Sequence, residues 1–121
     1  MKLRALRGAT TVEENDPGAI LEATEELVRA VMDRNALEPE QMVSCIFTCT
    51  GDLDAEFPAV AARNLGLSSV PLLCAREIDV PGALPRTIRL MLHCYAEPGS
   101  DPQHVYLREA GTLRRDLRGA Q

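Results

Sequence analysis

A chain of 121 residues with a net charge of −5 has the length of one domain and lacks the positive field that general binding to nucleic acid or anionic membranes requires. It has no run of about eighteen apolar residues, and its first ten residues contain no hydrophobic segment of the kind that directs secretion. We therefore expect a single domain over residues 1–121, located in the cytoplasm, with neither nucleic acid nor membrane as a partner.

The cysteines and basic residues limit the chemistry further. Four cysteines form no Cys-x-x-Cys pair, and the two histidines add no zinc-type spacing, so we predict free thiols and no bound metal. All basic residues except Lys2 are arginines. The planar fork of arginine suits a carboxylate ligand, although a genomic codon bias is the simpler explanation of the excess.

The first part of the chain predicts a strand and a long helix. "KLRALRGA" alternates weakly and indicates a strand in which Leu3, Ala5 and Arg7 share one face, so that Arg7 falls where an apolar face should continue. Asp16 is a suitable N-cap, a proline follows it, and apolar residues then recur at helical spacing. We predict a helix over residues 17–35.

The remaining elements are shorter. The β-branched and aromatic content of "MVSCIFTCT" predicts a buried strand near residues 42–50, and a proline and a glycine bound a helix over about 58–65. "SSVPLLCARE" and "RTIRLMLHCYA" predict strands on either side of a turn, and "HVYL" predicts a short further strand. The polar tail from about residue 112 is expected to be partly ordered.

This order of elements predicts an α+β fold in which two main helices pack on one face of a mixed β-sheet. The strands carry apolar residues on both sides, as at Leu72 and Leu73, so the uncovered face should be buried against another subunit. We therefore expect a homo-oligomer.

Several polar side chains occupy strand positions where a core residue is expected. Arg89 lies in mid-strand beside Met91, where an unpaired buried guanidinium is unfavourable by several kcal/mol. Its partner is either an anionic ligand or a carboxylate of the same hairpin, Glu77 or Asp79, and spacing does not decide between them. Cys74 and Glu77 fall on opposite faces of a regular strand, so they share a pocket only if the chain twists or bulges.

The other candidates have simple structural explanations. Cys74 fits a small core residue, Arg63 a surface charge, Tyr106 a core ring with its hydroxyl at the rim, and Phe57 a hydrophobic staple. The sequence contains no Ser/His/Asp set, phosphate-binding glycine loop or HExxH motif. Taken one at a time, these residues define no function.

Five separated motifs are more specific when they are taken together. They are "LRGATTVEEN" (6–15), "FPAVAAR" (57–63), "VPLLCAREIDVPGALPRTIRL" (70–90), "HVYL" (104–107) and "LRRDL" (113–117). In this order they resemble the monofunctional chorismate mutases of the Bacillus type, the AroH class. The resemblance implies a homotrimer with a pseudo-α/β-barrel core, active sites between subunits, no cofactor, and conversion of chorismate to prephenate in phenylalanine and tyrosine biosynthesis.

The resemblance also implies roles for individual residues. Arg7 and Tyr106 bind the enolpyruvyl carboxylate, Arg89 lies against the ether oxygen of the breaking bond, and Glu77 and Cys74 hold the ring hydroxyl. Further contacts are implied for Leu73, Ala75 and Arg76 in one wall, for Phe57, Ala59 and Arg63 of the adjacent subunit, and for Leu113 and Arg114 of the tail.

The sequence departs from the family pattern at Val60, Gln103 and Arg115, which concern the rim of the implied cleft. Two other functions fit the residues. One is a trimeric imine or enamine deaminase of related architecture, which also holds a carboxylate with an interfacial arginine. The other is a trimeric sensor that binds an aromatic-pathway acid without turnover. Consumption of chorismate separates the mutase from both.

Overall fold

The computed structural model describes residues 1–113, which form one five-stranded sheet and two main helices. The elements are β1 (Lys2–Thr11), α1 (Pro17–Arg34), β2 (Met42–Cys49), α2 (Pro58–Asn64), β3 (Leu72–Arg76), β4 (Thr87–Ala96) and β5 (Val105–Tyr106). Short 3₁₀ turns lie at Pro39–Gln41 and Arg108–Ala110. Of the tail predicted from residue 112, the part from residue 114 onward lies outside the described residues.

The sheet is mixed and has the strand order β3-β2-β4-β1-β5. β4 pairs antiparallel with both β1 and β2, whereas β2/β3 and β1/β5 are parallel pairs. The α+β fold expected from the sequence is confirmed. The hairpin expected between β3 and β4 is wrong, because β3 runs parallel to β2 and β2 lies between the two strands.

Helix α1 forms where its capping signals predict. The carboxylate of Asp16 accepts a hydrogen bond from the N–H of Ala19 at 2.9 Å, and a proline occupies the first turn. The apolar stripe faces the sheet, and its buried residues are Ile20, Ala23, Thr24, Leu27, Val28 and Val31. The helix packs so close to β1 that a Cβ atom on Gly8 would lie 3.1 Å from Leu27 and 3.3 Å from Leu90.

Local turns set the end of α2, which agrees with the prediction, and the start of β3, which does not. Gly66, just beyond α2, adopts φ +93 and donates its N–H to the carbonyl of Arg63, which ends the helix as predicted. β3 begins at Leu72, four residues later than expected, because the preceding residues form a turn in which Val70 bonds back to Leu67 at 3.2 Å.

The two faces of the sheet differ in composition. The face that packs on the helices includes Ile88, Leu90, Leu92 and Cys94, which are all buried as the alternation in β4 predicts. We call the opposite face the open face. It carries Leu3, Ala5, Arg7 and Ala9 of β1, Ser44, Ile46 and Thr48 of β2, Leu73 and Ala75 of β3, and Arg89, Met91, His93 and Tyr95 of β4.

The open face explains the position of Arg7. Its apolar neighbours along β1 face away from the helices, and Leu3 is 53% exposed. Arg7 therefore does not interrupt the core-facing side of β1, contrary to what the alternation suggested.

Among residues 1–113, no helix has the length and apolar character needed to cross a membrane.

Candidate active site

A single cross-strand row on the open face connects all five strands. Ala75 lies opposite Thr48, Thr48 opposite Arg89, Arg89 opposite Ala9, and Ala9 opposite Tyr106. Because residues opposite one another in paired strands project to the same side, these five side chains share the open face. The row brings Arg89 and Tyr106 together from distant parts of the chain.

Ala9 creates a space between two larger side chains of this row. Arg89 and Tyr106 lie on either side of it, with Cα atoms about two strand spacings, or roughly 10 Å, apart. Arg7 precedes Ala9 by two positions and therefore projects to the same face. The register thus places two arginines and a tyrosine on one face around the small Ala9, a set of residue types suited to a carboxylate.

Glu77 lies beside Arg89 at the end of this row. Its Oε2 atom is 3.2 Å from Nε of Arg89 and accepts a hydrogen bond from Oγ1 of Thr48 at 2.7 Å. The Glu77 side chain is 16% exposed and that of Arg89 is 36% exposed. The pair is therefore partly desolvated, which strengthens its electrostatic attraction relative to a surface pair.

The contact between Arg89 and Glu77 is ionic but is not a hydrogen bond. The Nε atom of Arg89 is buried, and its N–H is not aligned with an acceptor despite the 3.2 Å approach. Within residues 1–113, the guanidinium of Arg89 donates no hydrogen bond. Because Nε is buried while the side chain is partly exposed, the donors left for a ligand above the open face are those on the two Nη atoms.

Cys74 and Glu77 project to opposite faces. The N–H of Glu77 bonds to the carbonyl of Cys49 at 2.9 Å, so the regular pairing of β2 with the chain continues past Arg76 without a bulge. Cys74 lies opposite the buried Phe47 and packs against the core under the helices. Between Cys74 and Glu77, the chain has no twist or bulge that would bring the two side chains into one pocket.

The backbone N–H of Cys74 points in a different direction from its thiol. Cys45 donates to the carbonyl of Pro71, and Glu77 donates to the carbonyl of Cys49, so the odd-numbered residues of this stretch pair with β2. By alternation, the N–H of Cys74 points away from β2. In the described sheet β3 is an edge strand, and this N–H lies along its outer edge.

A pocket of about 400 Å³ lies where β2 and β3 end, beside the start of α2. Phe57, Cys74, Ala75 and Arg76 are among its lining residues, and Phe57 is 67% exposed, which is not the packing of a hydrophobic staple. The guanidinium of Arg76 lies against Gly51, where a larger side chain would collide with it. The pocket does not include Arg7, Arg89 or Tyr106.

The remaining predicted site residues are dispersed within the described chain. Arg63 is exposed on α2, Leu73 is 61% exposed on the open face, and Leu113 is partly buried. Ala59 is only 3% exposed and belongs to the core of its own subunit. Arg114 lies outside the described residues.

Several titratable groups near the sheet have shifted pKa values, among them two cysteines of β2 and a histidine beside β1. Burial raises the pKa of Cys45 and of Cys49 to about 12, so these thiols stay protonated at neutral pH. Burial, and secondarily the nearby charge of Arg7, lowers the pKa of His104, whose Nδ1 atom accepts the N–H of Arg7 at 3.0 Å. All four cysteines are free, and residues 1–113 contain no cluster of three or more metal-ligating side chains.

Sequence reasoning missed a network of hydrogen bonds that fixes the start of β4, the strand that carries Arg89. Asp52 accepts the N–H of Arg86 at 2.9 Å and the hydroxyl of Thr50, and Thr50 in turn accepts the N–H of Thr87 at 3.0 Å. Although partial burial opposes it, these hydrogen bonds lower the pKa of Asp52. Arg86 also donates from Nε to the carbonyl of Val12 at 3.0 Å, which gives it a structural role.

Thr48 was also missed, because a threonine in a strand matches ordinary β propensity. Only the cross-strand pairing places its hydroxyl beside Glu77. Together, the fold and these residues define a small α+β protein whose open sheet face carries arginines and hydrogen-bonding side chains, which are residue types suited to an anionic ligand.

Comparisons with known proteins identify the family. The family model described as chorismate mutase type I matches residues 3–117, and the chain belongs to this family. It is 49% identical to chorismate mutase AroH of Thermus thermophilus, with 98% of this chain and 99% of the relative covered. The corresponding protein of Bacillus subtilis (strain 168) is 40% identical, with 97% and 94% covered.

A solved structure supports the same assignment. The chorismate mutase from Clostridium thermocellum superimposes with a TM-score of 0.88 at 47% identity, covering 91% of this chain and 99% of that one. The resemblance inferred from the five motifs is therefore confirmed.

Proposed function

We propose that the protein converts chorismate to prephenate on the open face of the sheet. The observation that carries this proposal is the strand register that puts Arg7, Arg89 and Tyr106 on the same sheet face as Ala9. Chorismate carries two carboxylates, which a protein with a net charge of −5 repels at long range. Local guanidinium groups reverse that field at the site, and family membership supports this choice of ligand.

The reaction is a unimolecular pericyclic rearrangement in which one C–O bond breaks while one C–C bond forms. It transfers no proton, hydride or group, and needs neither a nucleophile nor a cofactor. The protein's task is to hold a compact, chair-like conformer and to stabilise charge separation as the C–O bond lengthens. Rigid strands are well suited to both tasks, because their side chains need little rearrangement during the reaction.

Arg89 stabilises the transition state in this proposal. Negative charge grows on the ether oxygen, so a fixed cation near it binds the transition state more strongly than the ground state. Arg7 and the hydroxyl of Tyr106 hold the enolpyruvyl carboxylate on the other side of Ala9. The pairing of β1 with both β4 and β5 fixes the spacing between these groups.

Glu77 and Cys74 hold the ring hydroxyl. Glu77 accepts its hydrogen bond through a carboxylate oxygen, and Arg89 balances the charge of that carboxylate. We assign the contribution of Cys74 to its backbone N–H at the sheet edge, because its thiol faces the core. Glu77 thus acts as a fixed acceptor rather than as an acid or base.

The active unit is a homotrimer with a site at each subunit interface. Exposed apolar residues on the open face support assembly, including Leu3, Ile46, Leu73 and Tyr95. The pocket near Phe57 does not include Arg7, Arg89 or Tyr106, which fits a site completed by two subunits. Phe57, Arg63 and the backbone at Ala59 come from the neighbour in this arrangement.

The tail residues Leu113 and Arg114 complete the trimeric site by closing it over the substrate ring. The chain acts as one domain over residues 1–121 in the cytoplasm. Sedimentation of the purified protein tests the assembly, and a monomer at assay concentrations contradicts it.

The direct test of function is the loss of chorismate absorbance after addition of the purified protein, with prephenate identified by NMR. We expect first-order decay at saturating enzyme without any added cofactor. Intact trimer that leaves chorismate unchanged contradicts the proposal. Binding of chorismate without turnover would instead support the sensor.

A further inference from the structure

We infer that Thr48 is a positioning residue that keeps the carboxylate of Glu77 from forming two parallel hydrogen bonds with Arg89. This inference rests on the proposed function, because it concerns how the two charged groups are kept ready for substrate. Thr48 lies between their strands and opposite Arg89 in the pairing of β2 with β4. It also lies opposite Ala75, two residues before Glu77.

The hydrogen bond from Thr48 fixes one oxygen of the carboxylate. Oγ1 of Thr48 donates to Oε2 of Glu77 at 2.7 Å, and Nε of Arg89 approaches the same oxygen at 3.2 Å. Within residues 1–113, Oε1 of Glu77 takes no hydrogen bond. The carboxylate is therefore held by one oxygen, and the other is free to accept from a bound ligand.

This arrangement differs from the geometry that a carboxylate and a guanidinium usually adopt. Such pairs favour two parallel N–H···O bonds. Here the Nε–H of Arg89 is buried without an aligned acceptor, although a carboxylate oxygen lies 3.2 Å away. The hydroxyl of Thr48 competes for that oxygen and opposes rotation of the carboxylate into the two-bond arrangement.

The absence of a bidentate pair matters for both proposed roles. A bidentate pair would occupy the donors of Arg89 that are assigned to the ether oxygen, and both oxygens of Glu77. Substrate would then have to break that pair before productive binding. Thr48 thus leaves the carboxylate and the guanidinium in ionic contact, where each stabilises the charge of the other, without the two hydrogen bonds that would occupy both groups.

The decisive variant is Thr48→Val, which preserves β-branched shape but removes the hydroxyl. We expect it to lower kcat/KM for chorismate about tenfold or more, since hydrogen bonds to charged groups are stronger than neutral ones. Thr48→Ser should restore most activity. Ser44→Ala is the matched control, because it removes a hydroxyl from the same strand and face that contacts His93 rather than Glu77.

A double-mutant cycle separates positioning from a general structural effect. In a Glu77→Ala background, Thr48→Val should change kcat/KM by less than twofold, because the carboxylate that Thr48 positions is gone. An equal loss in both backgrounds overturns the inference, as does wild-type activity of Thr48→Val alone. Thermal unfolding of each variant identifies any loss that arises from failure to fold.

A crystal structure of Thr48→Val gives a readout that does not depend on activity. We expect the carboxylate of Glu77 to turn toward Arg89 and form two hydrogen bonds with it. An unmoved carboxylate overturns the inference. If the wild-type protein fails to consume chorismate, the proposed function fails. The position of the Glu77 carboxylate in the Thr48→Val crystal structure still decides whether Thr48 positions it.

Discussion

Nε of Arg89 and Oε2 of Glu77 lie 3.2 Å apart, although strand β2 separates the strands that lead to them. The sequence left two alternatives for Arg89, a salt bridge with Glu77 or an anionic ligand. The structure makes these compatible, because the ionic contact involves the buried Nε while the guanidinium donates no hydrogen bond within residues 1–113. Arg89 is thus charge-balanced, and its guanidinium keeps unpaired donors within this part of the chain.

Replacement of Arg89 by lysine tests the importance of the guanidinium geometry. Lysine retains the positive charge but loses the planar fork and several donors. We expect kcat for chorismate to fall by about 10²–10³-fold, the usual effect of losing an oriented donor at a site of developing charge. Arg29→Lys is the control, since Arg29 makes an exposed ion pair on α1. Near-normal turnover by Arg89→Lys would count against the assigned role.

Two substitutions at Glu77 separate hydrogen bonding from charge. Glu77→Gln keeps an oxygen that can accept from Thr48 and from substrate, whereas Glu77→Ala removes it. We expect both proteins to fold and the glutamine variant to retain more activity in steady-state assays. Equal losses would mean that the hydrogen bond to the ring hydroxyl is not part of the function of Glu77.

Gly8 tests the close packing of α1 against β1. An added Cβ would lie 3.1–3.3 Å from side chains of Leu27, Leu90 and Val31. We expect Gly8→Ala to lower the free energy of unfolding by about 1–3 kcal/mol, as overpacking of a core does. Gly99→Ala is the matched control, because a Cβ there meets nothing within 4 Å. Equal denaturant midpoints for the two variants would show that the helix moves without penalty.

His104 should make stability depend on pH. Burial and the charge of Arg7 lower its pKa in the folded state, so folding favours the neutral ring, which accepts the N–H of Arg7. This contribution is fully present above the unfolded pKa of about 6.5 and is lost as pH falls through the lower folded-state pKa.

Urea unfolding of the wild type and His104→Asn measures this contribution. Asparagine keeps an acceptor but does not titrate, so the wild type should lose stability relative to the variant on acidification. The opposite trend, a wild type that gains relative stability below pH 6.5, would contradict the assigned neutral state.

Local patterns predicted the elements and their buried faces well. The capping of α1 by Asp16 and the alternation from Ile88 to Cys94 both depend on nearby residues, and both are found in the structure. Strand order depends on pairings between distant segments, which local periodicity does not contain. The expected hairpin of β3 and β4 was wrong for this reason.

The same distinction applies to the site. Arg7, Arg89 and Tyr106 were identified through family motifs, and their shared face follows from the pairing of β1 with its two neighbours. Thr48 has the appearance of an ordinary strand residue, and its contact with Glu77 exists only because β2 lies between β3 and β4. The pattern did place Cys74 and Glu77 on opposite faces, and in the structure they remain there.

The most direct test of the account is kcat for chorismate, measured at saturating substrate from pH 6 to pH 9. A rearrangement that moves no proton and relies on Arg89 predicts turnover that lacks a sharp optimum across this range. Failure of the purified, folded protein to turn over chorismate would contradict the function. A sharp bell centred near neutrality would contradict the mechanism, because it would indicate essential acid and base groups.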